Sequence, residues 1–94
     1  MKEVFDVYYE AESFRNYIDR YNLPADKTLI SGRALEDFTV NDVLFTENNT
    51  PLYIEGFHLY GHEMDFISAG CTCVIICSPT EYKFADNEIL IIRS

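Results

Sequence analysis

The longest predicted strand changes the phase of its alternating apolar residues at Gly56. Before this glycine, Leu52 and Ile54 share one parity, whereas Phe57 and Leu59 beyond it share the other. Side chains of one parity lie on one face of a sheet, so a change of phase requires an irregular residue. A glycine at that point predicts a β-bulge or sharp bend, the feature that curls a sheet into a barrel.

Short apolar runs separated by turn residues recur about every ten residues. The predicted strands are Val4–Tyr9, Thr28–Leu35, Asp42–Thr46, Leu52–Tyr60, Cys71–Ser78 and Glu88–Arg93. Such spacing is typical of small barrels and sandwiches. Because 94 residues make one domain, we predict a mainly β fold over residues 1–94. Its expected form is a small closed or partly open β-barrel of about six strands.

One segment, residues 11–21, has the period of a helix. Its large apolar residues are Phe14, Tyr17, Ile18 and Tyr21, which form the i, i+3, i+4, i+7 stripe of an amphipathic helix. The Asn-Leu-Pro sequence that follows is a stop signal. We therefore predict one helix near the N-terminus, inserted between the first two strands, with its aromatic residues packed on the sheet.

The negative charge of the chain is concentrated in its middle. The formal net charge is −9, and eight of the sixteen acidic residues lie between Ala34 and Tyr82, where there is no Lys or Arg. Proteins that bind nucleic acid or anionic lipid use clustered cations for it. We therefore predict no direct contact with nucleic acid or membrane. An acidic face suits a protein partner with a basic surface, and it also keeps a small protein soluble.

The cysteine count and the first residues bear on the compartment. Three cysteines, an odd number, argue against the disulfide framework of a secreted domain. The first residues include acids where a signal peptide needs an apolar run. We expect a cytoplasmic protein that is a monomer or a weak homodimer.

Four short stretches share the order and spacing of a known barrel domain. They are Leu29–Ala34, which contains Gly-Arg, then Phe38–Phe45, Ile54–Gly70 and Phe84–Leu90. Together they resemble the β-barrel second domain of elongation factor Tu and other translational GTPases. The resemblance implies a barrel that binds other molecules and does no chemistry itself. Asn41 stands where the family has a turn glycine. The G-x-x-x-x-G-K-[ST] loop of a GTPase domain is not present, so the resemblance implies a stand-alone domain.

The cysteines and histidines are the candidates for chemistry. Cys71, Cys73 and Cys77 share one face of a predicted strand and could ligate zinc together with His58 or His62. However, no C-x-x-C pair is present, and free cysteines are often buried as small apolar side chains. We expect core cysteines, surface or turn histidines, no bound cofactor and no catalytic residues. A metalloprotein or enzyme built on the cysteine strand is the alternative.

These features predict a non-catalytic, acidic protein-binding module. In its most specific form, the protein is an inhibitor or immunity-type protein that occludes the active site of a basic nuclease. The alternative is a translation-associated accessory protein that binds ribosomal or translation-factor surfaces. The predicted partner-binding residues are the acids and tyrosines of the central stretch: Glu36, Asp37, Asp42, Tyr53, Glu55, Tyr60, Glu63 and Asp65.

Overall fold

The β-strands pair in a closed ring. The computed structural model describes residues 1–8 and 11–93, with side chains described for residues 1–8 and 15–93. The elements found there are β1 Lys2–Val7, α1 Ala11–Tyr21, β2 Thr28–Ala34, β3 Phe38–Thr39, β4 Val43–Phe45, β5 Pro51–Leu59, β6 His62–Met64, β7 Phe66–Ile67, β8 Thr72–Cys77 and β9 Ile89–Ile92.

Six strands form the ring, in the order β1–β2–β8–β5–β4–β9, and β9 pairs again with β1. All of these pairings are antiparallel. β6 extends the sheet beside β5, and β3 pairs with β7 in a separate two-stranded sheet. The prediction of a mainly β fold with about six strands and one inserted helix is confirmed.

The irregularity predicted at Gly56 is present in β5. The register between β5 and β8 shifts between Ile54, opposite Cys77, and Gly56, opposite Ile76. Ile54 is buried in the core before the shift and Phe57 after it, so the inward parity changes as the sequence predicts. The first third of β5 pairs with β4 and the last third with β6. The bulge therefore lies where β5 passes from one neighbour to the other.

The inside of the ring holds one apolar cluster, here called the inner core. Three aromatic rings meet in it edge to face: the Phe5 and Phe38 centroids are 6.2 Å apart, and those of Phe38 and Phe57 are 5.3 Å apart. Each such pair stabilises a fold by roughly 1 kcal/mol beyond the burial of its area. The fully buried members also include Leu44, Leu52, Ile67, Ile75, Cys77 and Leu90.

Strand β8 is buried on both faces. Cys73, Ile75 and Cys77 belong to the inner core. Val74 and Ile76 have the opposite parity and are also buried, although they are not part of that core. Since alternate residues of a strand point to opposite faces, something must cover the outer face of β8. The cover is α1 and the residues that follow it.

The helix has the predicted bounds, Ala11–Tyr21, and a defined C-terminal cap. Asn22 has a φ of 53°, and its N–H donates to the Asp19 carbonyl at 3.4 Å. The Leu23 N–H donates to the Ile18 carbonyl at 3.1 Å. These two bonds make a Schellman motif, in which Asn takes the left-handed position that usually holds Gly. The cap turns the chain so that Leu23 is buried rather than solvated.

Tyr17 and Tyr21 pack on the sheet as predicted. The two rings are 4.7 Å apart and both contact His58 of β5, at centroid distances of 5.4 and 5.2 Å. His58 is the register partner of Val74 on β8, which places it on the covered face. We call Tyr17, Tyr21, Leu23, His58, Val74 and Ile76 the outer layer. The side chain of Phe14, the third aromatic of the predicted stripe, lies outside the described residues.

Three details differ from the sequence prediction. The first strand is Lys2–Val7 rather than Val4–Tyr9, because β1 follows its pairing with β9 from Lys2 onward; Tyr9 lies outside the described residues. The prediction that His58 lies at the surface is wrong, because α1 covers it; His62 is exposed as expected. The short strands β3, β6 and β7 were not predicted, since runs of two or three residues have no detectable period.

The turn after β5, which Gly61 indicates in the sequence, is a two-residue hairpin. Leu59 pairs with His62, so only Tyr60 and Gly61 lie between the strands. Both have positive φ, 50° and 82°, the combination that defines a type I′ hairpin. Tyrosine is an unusual residue for the left-handed region, which is why the sequence signals this turn only through its glycine.

Candidate functional site

An open groove of about 410 Å³ lies between the C-terminus of α1 and the β5–β6 hairpin. We call it the helix-end groove. Its walls combine aromatic, apolar and charged side chains. The lining residues used below are Tyr21, Leu23, Lys27, Glu55, His58 and Glu63.

Glu63 occupies space left open by the missing side chain of Gly56. A Cβ placed on Gly56 would lie 2.8 Å from the Glu63 Oε1. Glu63 is also directly opposite His58 in the β5–β6 register, so the two side chains leave the same face of the hairpin. The glycine therefore has two effects: it allows the bulge, and it lets a carboxylate lie over the strand beside the groove.

Glu55 is paired with a cation from outside the acidic stretch. Its Oε1 lies 3.1 Å from the Lys27 Nζ, and its Oε2 accepts a hydrogen bond from the Ser78 hydroxyl at 3.1 Å. The hydrogen bond from Lys27, followed by that from Ser78, lowers the pKa of Glu55. Lys27 thus neutralises one of the acids that the sequence leaves without a counter-charge, and Glu63 is the groove carboxylate without a cation among the described residues.

His58 is held by Tyr17 at the base of the groove. The Tyr17 hydroxyl oxygen lies 2.7 Å from the His58 Nδ1, and the ring of His58 is only 8% exposed. Burial lowers the pKa of His58, while the opposite Glu63 raises it to a smaller extent and His62 adds to the lowering. Burial likewise raises the pKa of Tyr17. A neutral histidine bonded to a neutral tyrosine is therefore the resting state.

A contiguous segment beside the groove is exposed. From Tyr60 to Phe66, two aromatic rings are open to solvent, with Tyr60 84% and Phe66 52% exposed. His62, Glu63 and Asp65 between them are exposed as well. We call this the 60–66 segment. It brings together three of the eight predicted partner-binding residues and adds Phe66, which the sequence analysis did not select.

The other predicted residues lie elsewhere. Asp37 accepts a hydrogen bond from the Ala69 N–H at 2.7 Å, which joins the segment before β3 to the segment after β7. Asp42 accepts one from the Thr39 N–H at 2.9 Å, which closes the turn after β3. Glu36 is exposed in the turn beside Asp37. Tyr53 is 57% exposed on β5, two residues before Glu55. The eight residues do not form one continuous site.

The cysteines are placed for packing. Cys73 and Cys77 face the inner core, and burial raises the pKa of each thiol to about 12, with smaller contributions from Cys71 and Glu55 respectively. Metal ligation and nucleophilic attack both require the thiolate, which this environment disfavours. Among residues 1–8 and 11–93, no group of three or more Cys, His, Asp or Glu side chains is arranged to hold a metal ion.

Two long-range contacts at the groove had no signal in the sequence. Lys27 lies in the turn after α1 and reaches Glu55 across 28 residues, and Tyr17 meets His58 across 41. The sequence analysis also omitted Phe66, because a single phenylalanine between an acid and an isoleucine is typical of a core residue. Its exposure follows from pairing in the two-stranded sheet, where Ile67 takes the buried position.

Comparison of the chain with protein-family models, with curated proteins and with solved structures finds no match. The resemblance to the barrel domain of translational GTPases therefore stays a prediction. In the part of the chain that the structure describes, no helix has the length and apolar content needed to cross a membrane.

Proposed function

We propose that the protein is a non-catalytic binding module that recognises a protein with a basic surface through its 60–66 segment. The observation that supports this is the composition of the segment. It exposes two aromatic rings and two carboxylates within seven residues and carries no Lys or Arg. Large exposed rings supply contact area at low entropic cost, and carboxylates beside them select a cationic partner.

The scaffold suits this task because the segment is fixed at both ends. The β5–β6 pairing holds His62 and Met64, and the β3–β7 pairing holds Phe66 and Ile67. The Asp65 carbonyl also accepts the Val40 N–H at 2.9 Å. A preorganised segment loses less conformational entropy on binding than a free loop does.

In its most specific form, the proposal is that the protein inhibits a basic nuclease in the manner of an immunity protein. Nucleases bind phosphates with Lys and Arg, and an exposed acidic segment can occupy those cations in place of the substrate. Exclusion of the substrate requires no catalytic group on the inhibitor. The long central stretch without Lys or Arg suits this role, since a cation there would repel the partner.

The first experiment is affinity capture from host lysate with the tagged protein, washed at low and then high salt. We expect retention of a basic protein at 0.1 M salt and its loss near 1 M, where the screening length falls from about 10 Å to about 3 Å. Capture of ribosomal proteins or translation factors instead would favour the translation-associated alternative. Retention that does not depend on salt would contradict an acidic interface.

The interface itself is tested by charge reversal against the captured protein. The double variant Glu63→Lys and Asp65→Lys should bind at least about tenfold more weakly, because like charges facing each other cost several kcal/mol. The matched control is Glu3→Lys with Asp26→Lys, which makes the same change in net charge at exposed acids outside the segment. Equal weakening by both pairs would show that only total charge matters and would overturn the assignment of this surface.

A further inference from the structure

We propose that protonation of His58 releases α1 from the sheet, so that mild acidification uncovers the outer face of β8. Three features of the structure carry this inference: the bond between Tyr17 and His58, the burial of the ring between α1 and the sheet, and the composition of the outer layer. The inference does not depend on the identity of a partner.

The bond between α1 and β5 involves the ring nitrogen that gains a proton on acidification. The Tyr17 hydroxyl oxygen lies 2.7 Å from the His58 Nδ1. When the neutral ring carries its own proton on Nε2, Nδ1 accepts the hydroxyl proton of Tyr17. A second ring proton goes onto Nδ1, so the hydroxyl has to turn its proton away and the bond has to reverse. Protonation therefore breaks the resting bond and places a charge under α1 in the same step.

The ring has little access to solvent that could compensate. It is 8% exposed, and the Tyr17 and Tyr21 rings lie against it with centroids 5.4 and 5.2 Å away. A charged imidazolium is strongly disfavoured in such surroundings unless it is paired. Outward movement of α1 would return the ring to water and relieve this cost.

The charged and titratable groups around the ring do not remove that cost. Burial opposes the protonated ring most strongly, Glu63 of β6 favours it to a smaller extent, and His62 of β6 also opposes it. Lys27 and Glu55, which line the same groove, are paired with each other. Arg20 lies over the Tyr21 ring, 5.5 Å from its centroid. Glu63 therefore offsets only part of the cost of burial.

The pH range follows from the direction of the shift. Burial lowers the pKa of His58 when α1 is docked, whereas a solvated histidine has a pKa of about 6.5. The released state thus binds the proton more readily than the docked state. Docking is fully stable above about pH 6.5 and loses stability as the pH falls toward the lower pKa of the docked ring. Within that range each pH unit changes the docking equilibrium about tenfold.

The chain offers an exact control, because it contains only two histidines and both lie in the β5–β6 hairpin. Amide hydrogen exchange of residues 15–21, corrected for intrinsic rates, reports the docking of α1. Between pH 7.5 and 5.5 we expect protection of these amides to fall about tenfold in the native chain. The exposed-site variant His62→Gln should keep the fall, with its midpoint at slightly higher pH because His62 opposes protonation of His58. His58→Phe, which keeps a buried ring that cannot titrate, should show no fall.

A second variant keeps the proposal open to refutation if His58→Phe fails to fold. Glu63→Gln removes the carboxylate that favours protonation, so the midpoint of α1 release should move to lower pH. A purely structural role for Glu63 predicts no movement of the midpoint. Unchanged α1 protection between pH 7.5 and 5.5 in the native chain, or a full pH response in His58→Phe, would overturn the inference.

Discussion

Strand β8 is buried on both faces, but the two layers that cover it differ in kind. The inner core is closed by a ring of paired strands and filled by aliphatic, aromatic and thiol side chains. The outer layer is a single helix held by two tyrosines and a histidine. Burial alone therefore does not show how firmly a layer is held in place. One face is locked by backbone pairing, and the other rests on side chains whose protonation can change.

The largest expected effect is on the reactivity of the thiols in the inner core. Because the pKa values of Cys73 and Cys77 are raised from 9.0 to about 12, their thiolate fraction at pH 8 falls about a thousandfold. In a Cys71→Ser variant, which removes the half-buried thiol, the remaining two should react with Ellman's reagent about a thousandfold more slowly when native than when unfolded. Rapid reaction of either thiol in the native protein would show that the inner core opens as readily as the outer layer.

The same substitution at two adjacent isoleucines compares how much each layer contributes to the free energy of unfolding. Ile75 lies in the inner core and Ile76 in the outer layer. Replacement of a buried isoleucine by alanine costs about 2 to 5 kcal/mol, depending on how far the site can collapse. We expect Ile75→Ala to lower the free energy of unfolding by about 4 kcal/mol and Ile76→Ala by about 2 kcal/mol, because α1 can settle onto the sheet while the ring cannot contract.

Equilibrium unfolding in urea measures both values, and equal slopes against denaturant concentration would confirm that the same unfolded state is reached. Equal losses for Ile75→Ala and Ile76→Ala would contradict the distinction between a locked layer and an adaptable one.

The smallest expected effect concerns the cap of α1. Asn22 is in the left-handed region, where a Cβ costs alanine about 1 to 2 kcal/mol relative to glycine. Asn22→Ala should therefore lower stability by about 1 kcal/mol, whereas Asn22→Gly should be close to neutral. Thermal unfolding followed by circular dichroism checks this, with the exposed Asn16→Ala as the control for simple helix propensity. A loss with glycine as large as with alanine would mean that the Asn22 side chain, not its φ, fixes the cap.

Local signals predicted the elements whose causes are local. The helix was predicted with its observed bounds because its apolar stripe and its Asn-Leu-Pro stop lie within 14 residues. The bulge was predicted because Gly56 coincides with the change of parity. Two-residue strands and the left-handed conformation of Tyr60 have no such signal, since only tertiary pairing selects them.

The candidate site was predicted less completely, and the reason is distance along the chain. A stretch without Lys or Arg is not a surface without cations, because Lys27 reaches Glu55 from outside it. His58 looked like a surface residue because its cover, Tyr17, lies 41 residues earlier. The sequence analysis selected Tyr60, Glu63 and Asp65 of the 60–66 segment, all of which are exposed, and it omitted Phe66.

The pairing of β1 with β9 has a consequence for engineering. Lys2 lies opposite Ile92, so β1 enters the ring where β9 leaves it. A short peptide could join β9 to β1, and the ring could be opened instead at the exposed turn around Asn48 and Asn49. The same geometry lets the whole ring be inserted into a surface loop of another protein without stretching the host, which makes this fold a portable unit for engineering.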